Sequence, residues 1–431
     1  MHAISSIAGV FALILMLARL KTPLAVAIFA GALLTGLLFD AAPSDIARWM
    51  LRGVMHPRTL GLVAITLLQL VLSYGMESSG QLREMVTLMR RVLRRPAVAA
   101  AALPALIGLL PMPGGALFSA PMVASAADTA EIAPDRLSAI NYWFRHIWEH
   151  WWPIYPGVLL AMTLTGRSFG DFALTQLPLG IIMATCGLLV FRGTHPALHA
   201  VQPPPPPGTA RALIRSTASI WLIVVVAVPV GLLARTMFSG TLSADTSELV
   251  LTFGPVGLGL LAGLIWTAYR GRQSALRVFA HITRGSVWSM LLLVTSVMVF
   301  QYILGEVKAA SAIAEELRQL NVPLIVVVAA LPFVAGAVTG LAVGFVGTSF
   351  PIVLPLMIVL AGDGSTRAFV ALAYAFGHIG QMVSPLHLCY IVSNRYFSTP
   401  FAPVYRIIMP AITCVGFLTI LYVIVLRLLG L

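Results

Sequence analysis

The chain has 431 residues, of which 59% are hydrophobic and 10% charged, and its mean hydropathy is +0.94. Soluble domains carry about 25% charged residues, so a soluble globule is excluded. A formal net charge of +12 raises nucleic acid as a partner. The placement of the basic residues argues instead for membrane topology and against nucleic acid.

Seven stretches lack Asp, Glu, Lys and Arg: 22–39, 59–76, 172–191, 216–234, 249–269, 285–305 and 407–426. Each matches the ~20 residues that an α-helix needs to cross the hydrocarbon core. Residues 1–18 are uncharged as well. Continuous rather than alternating apolar runs exclude a β-barrel. Basic residues concentrate at Arg19/Lys21, Arg83–Arg95, Arg192–Arg215, Arg270–Arg284 and Arg395/Arg406, while Asp245/Glu248 and Glu306–Glu316 fall in the alternate loops. The positive-inside rule then puts both termini outside a bacterial-type inner (cytoplasmic) membrane. No basic residue precedes Arg19, which argues against a signal peptide with a charged n-region. Cys186, Cys389 and Cys414 lie in apolar stretches, without disulfide or metal spacing among them, and read as packing residues.

In chain order, helices are expected over about Ser5–Leu20, Pro23–Phe39 and Thr59–Met76, followed by an amphipathic surface helix at Gln81–Arg95. A long uncharged run then separates Arg95 from Asp128, interrupted by Leu110-Pro-Met-Pro-Gly-Gly115. Proline and glycine cannot continue a helix there. A break at membrane depth survives only where protein or a water-filled cavity satisfies the backbone. A re-entrant hairpin over about 97–127 is the simplest solution. Next comes Asn141-Tyr-Trp-Phe-Arg-His-Ile-Trp-Glu-His-Trp-Trp-Pro-Ile-Tyr-Pro-Gly157, a helix (about 137–165) expected to break at Trp152–Gly157. A closing helix at 172–191 completes a first unit, residues 1–200. A stiff polyproline linker occupies 201–213.

Residues 214–431 repeat the order: three helices, a surface helix at Ala309–Leu320, a hairpin over about 322–361, a broken helix over about 366–396 and a closing helix at 404–426. Ala102-Leu-Pro104 recurs as Ala330-Leu-Pro332, and His146 recurs as His378 at a nearly equal offset. The histidine offset also brings Phe144 onto Phe376, Glu149 onto Gln381 and Pro153 onto Pro385. Five crossings per unit is an odd number, so the units insert with opposite orientation. The reading is an all-α polytopic membrane protein of about ten crossings plus two re-entrant hairpins in two inverted-topology repeats, a pattern typical of secondary transporters.

With those motifs in hand, the chain resembles the ion-transporter superfamily of inverted-repeat carriers, which includes citrate, dicarboxylate, gluconate and arsenite transporters. Leu109–Pro121 and Asn141–Glu149 are closer to a prokaryotic family of integral membrane proteins without a known function. The resemblance implies two hairpins flanking two broken helices, a homodimer and elevator-type movement. The Ser-Asn-Thr hairpin tips of the dicarboxylate branch are missing, so that branch's substrate is not implied.

Breaks in two hairpins and two helices expose helix ends near the midplane. N-termini suit an anion, and carbonyls with hydroxyls suit Na⁺. The substrate-site candidates are therefore Met112, Pro113, Gly114, Gly115, Ser119, Asn141, Arg145, Thr339, Gly340, Gly344, Thr348, Ser349, Ser384 and His387. On a continuous helix Asn141, Arg145, Glu149 and Trp152 form one stripe, with Arg145 and Glu149 able to pair. Ionisable groups at membrane depth are functional candidates by default. Arg145 is assigned to an anionic substrate, and His146, Glu149, His378 and Gln381 to a coupling ion, H⁺ or Na⁺.

The expected function is a secondary active transporter of a small carboxylate-like anion in the lipid bilayer, with no enzymatic activity, no cofactor and no metal centre. A flippase for a lipid-linked phosphate or an anion exporter shares the same logic. His146-Ile-Trp-Glu-His150 also fits the H-x-x-E-H pattern of zinc peptidases. Against it, the second repeat keeps the first histidine without the other two, and Trp152-Pro153 interrupts the helix. No ATP-binding P-loop motif occurs.

Overall fold

The structure is a computed structural model describing residues 3–93, 95–110, 115–126, 132–191, 204–238, 249–361 and 366–431. The expected break at 111–114 and the start of the expected linker, 201–203, lie outside the described residues. Among the described residues the chain is helical, without strands. The helices are α1 (Ala3–Arg19), α2 (Leu24–Leu38), α3 (Pro43–Met55), α4 (Pro57–Ser78), α5 (Gln81–Val92), α6 (Pro96–Gly108) and α7 (Ala116–Ala126). Then follow α8 (Pro134–Arg145), α9 (Pro156–Thr165), α10 (Phe169–Cys186), α11 (Thr209–Ser216), α12 (Ala218–Phe238), α13 (Gly254–Arg270) and the short α14 (Ala275–Phe279). The chain closes with α15 (Gly285–Glu306), α16 (Ala309–Gln319), α17 (Leu324–Thr339), α18 (Ala342–Ala361), α19 (Thr366–Val383), α20 (Leu388–Tyr396) and α21 (Phe401–Leu428).

Among the described residues, seven stretches are long and apolar enough to cross a membrane: Pro57–Ser78, Phe169–Val190, Ala218–Phe238, Gly285–Glu306, Ala342–Ala361, Thr366–Tyr396 and Phe401–Leu428. Six shorter apolar helices accompany them, among them both arms of the first hairpin. This is an all-α, multi-pass membrane protein. Its α18 has 78% of its apolar window buried inside the protein, against 17% for α12. The apolar surface of α12 therefore faces outward, and α18 forms the interior.

The helix order recurs with little drift. A single offset carries both ends of α4 onto those of α15, and the same offset carries the starts of α5 and α6 onto those of α16 and α17. A second offset, one helical turn longer, carries the starts of α8, α9 and α10 onto those of α19, α20 and α21. Packing follows the same correspondence. α6 lies on α8 as α17 lies on α19, α4 meets α15, and α9 packs on α18 as α20 packs on α7. The second arm of each hairpin thus seats on the broken helix of the other half, which brings both breaks to the centre.

One residue type makes the α6–α8 and α17–α19 contacts possible. A Cβ at Gly108 would strike the Arg145 carbonyl, and one at the equivalent Gly336 would strike the Gly377 carbonyl. Backbone therefore rests on backbone at both places, an approach only glycine permits. On one end of the bundle the amphipathic α5 and α11 pack together, and Arg270 clamps Glu84 with hydrogen bonds of 2.7 and 2.6 Å.

Candidate functional site

The first broken helix ends earlier than its prolines suggest. α8 stops at Arg145, and residues 146–151 continue as turns. In a continuing helix the His146 amide would donate to Tyr142 O. Instead the His146 ring takes that carbonyl through Nδ1 at 2.6 Å, and the amide shifts to Trp143 O at 3.1 Å. A local side chain has outcompeted the helical ladder. The stripe of Asn141, Arg145, Glu149 and Trp152 expected on one helix face is therefore not present: Asn141 and Arg145 lie on α8, whereas Glu149 and Trp152 belong to the segment beyond it.

The aromatic residues of the break satisfy the hairpin. The last carbonyls of a helix lack intrahelical partners, and at membrane depth protein must supply them. At the end of α6, Trp148 Nε1 donates to Ala105 O (2.8 Å) and Trp152 Nε1 to Leu109 O (3.1 Å), while the Tyr155 hydroxyl donates to Gly108 O. The amides of Leu109 and Leu110 donate to Leu106 O and Ile107 O, both at 3.2 Å. α17 ends with different chemistry: Thr339 Oγ1 donates to Ala335 O (2.8 Å), Gly340 N to Gly336 O (2.8 Å) and Ser384 Oγ to Ala337 O (2.7 Å). Ser384 is the repeat equivalent of Trp152 and Ala337 that of Leu109, so the two halves make the same bond with different side chains.

Between the two breaks lies a buried polar cluster of Arg145, His146, Glu149, His150, His378, Gln381 and His387. Glu149 and Gln381, repeat equivalents, touch directly: Gln381 Nε2 donates to Glu149 Oε2 at 2.7 Å. His146 Nε2 is 3.8 Å from Glu149 Oε1 and His378 Nε2 is 3.7 Å from Glu149 Oε2, so the carboxylate stands between the two equivalent histidines. The His146 and His387 rings meet edge to face at 4.6 Å, and His150 and His378 approach to 4.3 Å. Tyr142 donates to Met382 O (3.0 Å) and Tyr374 to Glu149 O (2.7 Å), so each half caps the break of the other.

A cavity of about 150 Å³ opens beside this cluster. Arg145, Glu149, Gln381, His387 and Cys389 supply its polar wall, and Leu70 of α4 and Met290 and Leu293 of α15 its apolar wall. The first residues of three helices border it: Pro156-Gly157 of α9, Ala342-Val343 of α18 and Leu388-Cys389 of α20. Helix N-termini carry about half a positive charge and free N–H groups. Joined to the Arg145 guanidinium, they make a setting for a small anion.

Of the substrate-site candidates, Arg145 and His387 line this cavity. Gly115 is packed on the Arg145 guanidinium, where a Cβ would overlap it, and Asn141 Nδ2 ties the start of α7 through Ala116 O (3.1 Å) and donates to Ser393 Oγ (2.8 Å). Met112, Pro113 and Gly114 lie outside the described residues. Ser119 Oγ faces the carbonyls of its own helix turn, Gly115 O and Ala116 O, at 3.5 and 3.4 Å. The hydroxyls of Thr339, Thr348 and Ser349 likewise donate to carbonyls one turn back, at 2.8, 2.8 and 2.6 Å. Gly340 and Gly344 shape the second tip, Gly340 against the His387 backbone and Gly344 against Thr339. Ser384 caps the end of α17 through Ala337 O. His146, Glu149, His378 and Gln381 form the centre of the cluster.

Four residues escaped the sequence reading. Tyr142 and Tyr374 are separated by the same offset as His146 and His378, so their signal was present. Tyr155 had the Pro153–Pro156 context but no titratable role. Cys389, read as packing, instead borders the cavity at the start of α20, and nothing in its apolar surroundings marks it. The H-x-x-E-H residues lie in the turns after α8 rather than on a helix. Among the described residues, the grouping that brings three ligand atoms within 4.8 Å is His146, His387 and Cys389.

The sequence matches the family described as "Protein of unknown function (DUF401)" over residues 3–428. No curated protein matches it significantly. Among solved structures the fold is similar to the crystal structure of the Alcanivorax borkumensis YdaH transporter, whose report describes an unusual topology. The TM-score is 0.54 at 14% sequence identity, over 94% of this chain and 98% of that one. That likeness is one of fold.

Proposed function

We propose that this chain, which belongs to the DUF401 family and shares the fold of a solved transporter, is a secondary active transporter of a small carboxylate-like anion. The observation that carries the reading is the convergence of the buried Arg145 and three helix N-termini on one cavity between the breaks. Such a site holds an anion without a bulk counterion. The coupling ion, H⁺ or Na⁺, is assigned to Glu149 with His146, His378 and Gln381, which meet the anion site across the repeat interface. The repeated halves and the broken helices at the centre also favour the ion-transporter superfamily among carrier architectures. The cavity lies where α4 and α15 meet the hairpins and broken helices, as an elevator-type movement of one group past the other requires. On the distribution of basic residues, the protein is assigned to the cytoplasmic membrane with both termini outside, and on the resemblance it is assigned as a homodimer.

Uptake into proteoliposomes tests this reading. A panel of labelled mono-, di- and tricarboxylates is offered with an imposed pH or Na⁺ gradient. At least one is accumulated by the wild type, and Arg145→Gln loses that uptake while remaining folded. Loss of a charged hydrogen-bonding partner, about 1.5–3 kcal/mol, corresponds to about a 10- to 150-fold weaker site. Undiminished uptake by Arg145→Gln contradicts the assignment. Glu149→Gln is expected to keep exchange of internal for external anion and to lose gradient-driven accumulation; unchanged accumulation removes Glu149 from the coupling step.

A further inference from the structure

We propose that His146, His387 and Cys389 form a binding site for a borderline-soft divalent cation of the Zn²⁺ class, with a coordination position open to the central cavity. The site shares His146 and His387 with the proposed transport site, and its test reads cation binding alone, so that failure of either reading is seen separately.

The three side chains come from both halves, and all are buried. Their ligand atoms lie within 4.8 Å of one another. Zn–N and Zn–S bonds of about 2.0–2.3 Å need donors about 3.5 Å apart, so a modest inward rotation closes the set. Two imidazoles and a thiolate suit Zn²⁺ or Co²⁺ and disfavour the hard cations Na⁺, Mg²⁺ and Ca²⁺.

The orientation of both imidazoles supplies an independent argument. A carbonyl only accepts hydrogen bonds, so a ring nitrogen facing one must carry the proton. His146 Nδ1 faces Tyr142 O at 2.6 Å, and His387 Nδ1 faces Gln381 O at 3.3 Å. Each ring therefore carries its lone pair on Nε2, the atom that a metal would take. Donation of the second ring nitrogen to a backbone carbonyl is the usual support of a metal-binding histidine. Tyr142 holds both rings edge to face, at centroid distances of 5.0 Å to His146 and 5.2 Å to His387. The imidazoles pack edge to face, with 86° between their planes, and are not stacked.

The charge of the ion itself is compensated, leaving that of Arg145. A divalent ion adds two positive charges beside Arg145. The Cys389 thiolate, formed as its proton leaves on metal binding, supplies one negative charge. Glu149, whose Oε1 is 3.8 Å from His146 Nε2, supplies the second. Cys389 sits at the second position of α20. With three protein ligands the fourth position faces the cavity that His387 and Cys389 border.

Cobalt gives a direct readout. Full-length protein with its affinity tag removed is stripped with chelator and titrated with Co²⁺, then Zn²⁺. The expected result is a thiolate-to-cobalt charge-transfer band in the near ultraviolet, saturating at a single equivalent and displaced by Zn²⁺. Cys389→Ser is expected to lose the band and to bind at least about tenfold more weakly. Cys186→Ser and His150→Asn keep both, the latter separating this site from the H-x-x-E-H pattern. A wild type without the band, or a band that survives Cys389→Ser, overturns the proposal. If Cys389→Ser does not fold, maleimide labelling of the wild type read by mass spectrometry replaces it. Zn²⁺ then protects Cys389, and undiminished labelling overturns the site.

Discussion

Arg145 is the residue on which several independent contacts converge. Its carbonyl meets Gly108, its guanidinium meets Gly115, and its side chain lines the central cavity while almost wholly removed from solvent. An arginine so placed in an apolar chain invites a functional reading from composition alone, and the sequence did single it out, with Glu149. What composition could not give was the set of neighbours. Cys389 looks like any cysteine in an apolar run until the fold carries α20 against the first break. A methyl group at Gly115 enters the space of the guanidinium, so Gly115→Ala is expected to displace Arg145. Loss of its charged hydrogen bond, about 1.5 kcal/mol or more, should weaken anion affinity about tenfold or more, while far-ultraviolet circular dichroism stays unchanged. Wild-type affinity in Gly115→Ala would mean that the guanidinium does not need its present position.

At the scale of elements, the first broken helix shows where sequence logic stops. Prolines and glycines located the break near Trp152–Gly157, and α9 does begin at Pro156. The helix nonetheless ends at Arg145, because the His146 ring occupies the carbonyl needed for another turn. That competition is a matter of rotamer and packing, which residue order does not record. Trp148 and Trp152, in the segment beyond α8, act as donors to the end of α6. Trp152→Phe keeps most of the apolar bulk and removes one donor, leaving Leu109 O without it in a buried setting. A loss of about 1–3 kcal/mol is expected, seen as a lower melting temperature in detergent. Ser384→Ala should show a loss of similar size at Ala337 O in the other half. If both variants melt as the wild type does, water or another group satisfies these carbonyls.

At the scale of the molecule, the repeat was the most legible feature. The two offsets visible in the Ala-Leu-Pro and His motifs reappear as the spacing between the starts of matching helices. The cross-packing of α9 on α18 and α20 on α7 was not legible, since nothing local says which half a helix will touch. The consequence is a site assembled from both halves, with Glu149 hydrogen-bonded to its own counterpart Gln381. Leu293 of α15 and Ala342 of α18 both border the cavity. If these groups slide past each other during transport, a cross-link between cysteines at these positions should abolish uptake and keep ligand binding on the accessible side. Transport at full rate in the cross-linked protein would exclude elevator movement along this boundary.

The most direct measurement is the melting temperature of purified wild type and Arg145→Gln against a series of carboxylates at fixed pH, with and without Na⁺. A ligand that binds the folded state alone stabilises it by about 2.7 kcal/mol at a hundredfold excess over its Kd, enough for a rise of a few degrees. The expected result is such a rise for at least one carboxylate in the wild type and none in an Arg145→Gln protein of otherwise normal stability. An equal rise in both proteins would contradict the placement of the anion site at Arg145.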